Sequence, residues 1–124
     1  METRIKADGF DMSEAMTAYL NDRIAHIEKL LANDGELARC EIELGRDAGK
    51  PRHGANIWYA EIQVVRPGEP TLRATNRSES INGAIDDAKA ELERQIHNEK
   101  RIHTRVLRKA GTLAKGILRL GTDE

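Results

Sequence analysis

Four arginines, Arg94, Arg101, Arg105 and Arg108, descend the C-terminal part of this 124-residue chain at spacings of seven, four and three. Guanidinium groups pair bidentately with phosphate oxygens, and a spaced row of them gains free energy by releasing condensed counterions from a nucleic acid. At about 100° per residue, with Ile85 as the reference, Leu92 and Ile96 fall within about 20° of it and the four arginines within about 40° of the opposite pole. On a helix these side chains form a solvent-facing ridge. Lys100, Lys109 and His97 lie close by, and Glu99 is the only acid between Arg94 and Lys115, so few local ion pairs can neutralise it. The charge pattern alone leaves three readings open: a nucleic-acid binder, a solvated helix face, and a dock for an acidic protein or a membrane surface.

Other chemistry is poorly supported. The histidines His26, His53, His97 and His103 make no i,i+4 pair and stand beside no HExxH or clustered carboxylates, so no metal site is expected. Cys40 is the only cysteine, which excludes an intrachain disulfide, and its alternation with Ile42 and Leu44 reads as a buried strand position. Asp86-Asp87 near a helix start is explained by the helix dipole. No Walker or GxGxxG loop occurs, and no nucleophile and base stand at diagnostic spacing, so neither an enzyme nor a cofactor is expected.

The elements that must hold the ridge follow from periodicity. Thr3 to Ala7 reads as a short strand with Ile5 and Ala7 inward. A helix starts near Ser13 as N-cap, carries Met16, Leu20, Ile24, Ile27 and Leu31 on one stripe, and stops at Asn33-Asp34-Gly35. From Leu37 to Leu44, Ala38, Cys40, Ile42 and Leu44 alternate with Arg39, Glu41 and Glu43. Gly45 to Asn56, with Arg46, Lys50, Arg52 and His53, reads as a flexible basic loop. Ile57 to Val65 is a strand with Trp58, Ala60, Ile62 and Val64 inward, and Pro67-Gly68-Glu69-Pro70 a turn. Thr71 to Thr75 is a last strand with Leu72 and Ala74 inward. A second helix begins near Ser80 and runs to about Ala110, with Ile81, Ile85, Ala88, Leu92, Ile96 and Val106 on or near one stripe, before Gly111 interrupts it.

The expected fold is α+β, in the order βαβββα, with a four-stranded sheet and two helices on one face. Residues 1–110 form the domain; 111–124 form a basic and apolar tail that either continues weakly as helix or stays mobile. Charge divides along the chain. Residues 1–93 hold 12 Lys plus Arg against 18 Asp plus Glu, net −6, and residues 94–124 hold 8 against 3, net +5. With no apolar run near the roughly 20 residues a bilayer span needs and no signal pattern at Met1 to Arg4, the chain is expected to be cytoplasmic, with no membrane or small-molecule partner.

The run Ser80-Ile81-Asn82-Gly83-Ala84-Ile85-Asp86, continuing through Leu92-Glu93-Arg94-Gln95-Ile96, resembles the second helix of the ribosome hibernation-promoting factors, also called ribosome-associated inhibitors, protein Y or sigma-factor modulation proteins. Met12-Ser13-Glu14-Ala15 through Ile27-Glu28-Lys29-Leu30 is similar to their first helix, and the likeness spans most of residues 3–101. It implies a fold related to double-stranded RNA-binding domains, in a short form lacking the family's extra dimerisation domain and monomeric when free. It further implies binding to small-subunit ribosomal RNA in the channel used by mRNA and tRNA, and a block on translation under stress such as stationary phase. By position, RNA contact falls to Arg23, His26 and Lys29 on the first helix and to Lys89, Arg94, Lys100 and Arg101 on the second, with Arg105 and Arg108 further along. Glu91 and Asn98 stand where the family usually has basic residues. The rival reading is a protein-interaction module that modulates a transcription factor.

Overall fold

A computed structural model describes residues 1–47 and 57–122, with side chains placed for 1–47 and 57–112. In chain order the elements are β1 (Glu2–Asp8), α1 (Glu14–Leu31) followed by a 3-10 turn (Ala32–Gly35), β2 (Arg39–Arg46), β3 (Trp58–Val65), β4 (Leu72–Ser78) and α2 (Ile81–Thr122). The described residues build one four-stranded sheet in the order β1-β2-β3-β4. β1 runs parallel to β2, so the chain must cross over between them, and α1 is that crossover. β2, β3 and β4 form an antiparallel meander. This is the βαβββα order read from the sequence.

Local chemistry sets the boundaries. The Ser13 hydroxyl accepts the Met16 N–H at 3.1 Å and caps α1. Ser80 does the same for α2, accepting the Gly83 N–H at 3.0 Å. Between β3 and β4, Gly68 has φ +73° behind Pro67, and the Glu69 N–H reaches the Arg66 carbonyl at 3.3 Å, the geometry of a type II turn. Leu20, Ile24, Ile27 and Leu31 of α1 meet Cys40, Ile42 and Leu44 of β2 and Ala60, Ile62 and Val64 of β3 in one core. Ala84 and Ala88, both fully buried, let α2 lie close on β3 and β4, where Ala74 and Leu72 face it.

Four expectations change. β4 continues through Asn76, Arg77 and Ser78, which pair with Ala60, Tyr59 and Trp58; their polar side chains hide a strand that the ladder bonds sustain. α2 does not stop at Gly111, because an exposed helical glycine costs only about 1 kcal/mol relative to alanine and Ala110, Leu113 and Ala114 around it are good helix formers. Ile5 pairs in register with buried Ile42 yet is 37% exposed, since β1 is the sheet's edge. Val106 lies 58% exposed because the sheet ends before it. Gly45 and Arg46 close β2, Asp47 follows it, and residues 48–56 of the expected basic loop, with Lys50, Arg52 and His53, lie outside the described residues.

Candidate nucleic-acid interface

α1 and α2 lie side by side in the same sense. Near one end the Tyr19 hydroxyl donates to Asp86 Oδ2 at 2.5 Å, and towards the other Leu31 and Ile96 line a common recess of about 370 Å³. Asp86 also accepts from Arg23 Nε at 3.2 Å, and the Arg23 guanidinium lies 3.7 Å from the centre of the Tyr19 ring. The hydrogen bond to Asp86 holds the Tyr19 hydroxyl above its ordinary pKa. Asp86, read from sequence as a dipole-favoured acid, therefore clamps the two helices together. Arg23, which also pairs with Asp22 at 2.9 Å, is held in that clamp.

The ridge is exposed as the helical wheel requires. Ile85, Ala88, Leu92 and Ile96 are buried, Arg94 is exposed, and every described residue from Lys100 to Thr112 is exposed. Among the described residues Arg94, Lys100, Arg101, Arg105 and Arg108 form no ion pair; the Arg101 guanidinium donates to Asn98 Oδ1 at 2.6 Å. Lys89 differs, being joined to Glu93 at 2.6 Å one turn along. On α1, His26 and Lys29 are exposed and His26 follows Arg23 by one turn.

Two side chains that depart from basic character have structural partners. Glu91 accepts from Asn76 Nδ2 at 2.8 Å and ties α2 to β4. Asn98 is the acceptor that orients Arg101.

Sequence reasoning missed the brace at the point where α2 leaves the sheet. Arg66, at the end of β3, is 6% exposed; its Nη1 and Nη2 reach the two Glu99 carboxylate oxygens at 2.6 and 2.9 Å, and Nη2 also donates to the Pro70 carbonyl at 2.9 Å. The hydrogen-bonded pair with Arg66 holds the Glu99 carboxyl below its ordinary range. The only acid of the ridge segment is thus turned inward, away from the arginines. At the opposite end of the sheet, Phe10 packs edge-on against Trp58 with centroids 5.3 Å apart, and Arg46 sits 5.5 Å from the Trp58 ring. The outer sheet face is largely self-neutralised by the pairs Arg39–Glu41 at 3.1 Å and Arg73–Glu61 at 3.5 Å.

Among the described residues no helix is long and apolar enough to cross a membrane, and no three metal-ligating side chains gather. An exposed cationic rod with its one carboxylate withdrawn can bind a polyanion by charge and shape, without a covalent step.

Comparison with known proteins adds the lineage. A family model described as sigma 54 modulation protein / S30EA ribosomal protein matches residues 3–104. The ribosome hibernation promotion factor of Lactococcus lactis subsp. cremoris (strain MG1363) is 30% identical over 106 residues, covering 85% of this chain and 51% of that protein. The chain thus spans about half the length of that curated relative. Among solved structures, the N-terminal domain of Thermus thermophilus protein Y aligns with TM-score 0.60 at 24% identity, covering 77% of this chain and 96% of that one. A ribosomal subunit interface protein from Coxiella burnetii aligns with TM-score 0.63 at 18% identity, covering 82% and 99%. These two share the fold.

Proposed function

The chain belongs to the sigma 54 modulation protein / S30EA ribosomal protein family, and from that premise we propose that it is a ribosome-associated hibernation factor that binds small-subunit ribosomal RNA and occludes the mRNA and tRNA channel under stress. The observation that carries this reading is the row Arg94, Arg101, Arg105 and Arg108, exposed on α2 and in no ion pair among the described residues, on a domain whose fold matches ribosomal interface proteins.

The mechanism is occupancy. Phosphate contacts from the ridge supply sequence-independent affinity and fix the orientation of the rod, while the bulk of the sheet and α1 excludes other ligands from the same cleft. Lys100, His26 and Lys29 extend the cationic surface. Arg23 and Lys89 contribute only after leaving Asp86 and Glu93, so they are the weaker contacts of the set.

The test is co-sedimentation with purified small subunits. The triple variant R94E/R101E/R105E is expected to lose sedimentation with the subunit while keeping the parent's circular dichroism and thermal midpoint, since all three side chains are exposed. A variant that pellets like the parent removes the ridge from the mechanism. For contact with about five phosphates, log affinity should fall against log salt with a slope of roughly −4. A slope near zero would instead favour an apolar protein interface.

A further inference from the structure

α2 keeps its facing after the sheet has ended. On the 100° count, Val106 and Leu107 lie about 60° to one side and about 40° to the other of the line set by Ile85. They continue the stripe that β3 and β4 cover further back. Here they are each 58% exposed, and Ile102 on the same flank is 61% exposed. From Glu99 to Thr122 the helix runs on for about 35 Å. A shallow groove of about 430 Å³ lies on one flank of its first turns, between the stripe and the ridge, lined by Ile102, Arg105, Val106, Arg108 and Lys109.

The shape of this place restricts what can cover it. The sheet lies under the helix on the stripe side, so its end makes a step about one layer deep, roughly 10 Å. A flat surface meets the end of the sheet before it meets the stripe. A second helix, about 10–12 Å across, fills the step and takes the place of the sheet beneath α2. Charge restricts it further. Arg105 and Lys109 border the groove, and the sequence holds no Asp or Glu from Lys100 to Thr122. A second copy of α2 laid along the stripe would bring like charges together at the flanks.

We propose that the projecting part of α2 is a docking surface for a partner protein's amphipathic helix, one whose apolar seam is flanked by Asp and Glu. Val106 and Leu107 themselves lie on the side of α2 away from the ridge, although Arg105 and Arg108 belong to both groove and ridge, and the inference does not depend on the ribosomal reading.

The probe is a synthetic three-heptad peptide with Leu on one face and Glu on both flanks, titrated into the full chain by calorimetry. Saturable binding is expected, weakened tenfold or more in V106S/L107S and abolished when the flanking Glu residues are replaced by Lys. Circular dichroism checks that the double variant is folded, and unchanged co-sedimentation of that variant with small subunits keeps this result separate from the ridge. The proposal is overturned if the peptide does not saturate, or if V106S/L107S binds it as the parent does. It is equally overturned if sedimentation equilibrium shows a parent dimer that V106S/L107S dissolves, or if anionic vesicles, but not the peptide, are bound through Val106 and Leu107.

Discussion

Glu99 shows how one carboxylate can serve fold and site together. By pairing with Arg66 it neutralises a nearly buried guanidinium and leaves the ridge without an acid of its own. E99Q is expected to be less stable than the parent at pH 7 by about 1–3 kcal/mol, towards the low end because the Glu99 side chain is 35% exposed and screened. Folding lowers the pKa of this carboxyl, so its contribution is complete above the unfolded value of about 4.3 and fades as pH falls through the folded value. The gap between parent and E99Q in denaturant melts should therefore narrow progressively as pH falls below about 4.3; a gap that acid does not narrow would falsify the ion-pair account. Cys40 is a quieter case. Burial, with Glu41 beside it, pushes its thiol up to about 12, so iodoacetamide should leave it unmodified in the native protein and label it fully in guanidinium. Its burial was legible from alternation alone. Arg66 was not, because its partner lies 33 residues away on another element and no local spacing signals it.

At the scale of the elements, what the sequence displayed was periodicity. The alternation of Cys40, Ile42 and Leu44 and the three- and four-residue recurrence on both helices located the core faces, and Ser13 marked a helix start to the residue. Ends governed by partners elsewhere were hidden. Asn76 to Ser78 carry no apolar alternation, yet they stay in β4 because Ala60, Tyr59 and Trp58 offer ladder partners. The clamp of Tyr19 and Arg23 on Asp86 joins residues more than 60 apart and has no sequence signature. Gly111 illustrates the limit of propensity, since a Cβ there meets nothing within 4 Å and the helix passes straight through. G111A should raise the helical ellipticity that survives at elevated temperature, while the global midpoint stays put because no core residue lies beyond Ile96 among the described residues. A midpoint rise of several degrees would mean that the projecting segment packs on the domain.

The whole molecule is nearly neutral, at −1, but its charge is divided between an acidic body and a basic rod. Net charge is therefore a poor guide to what it binds, because a polyanion senses the nearest field over a distance of about 8–10 Å. At pH 7 and low salt the chain should be retained on both cation- and anion-exchange resins, and R94E/R101E/R105E should lose the first while keeping the second. Elution of the parent in the void of the cation exchanger would contradict the division. The fold leaves one more mark at this scale. β1 is an edge strand whose outward alternate positions are Glu2, Arg4, Lys6 and Asp8, with exposed Ile5 enclosed between two cations. Such a row resists being extended by another chain's strand. Crowded copies are thereby kept from stacking into fibrils along this margin, one of the two where the sheet's ladder stands open.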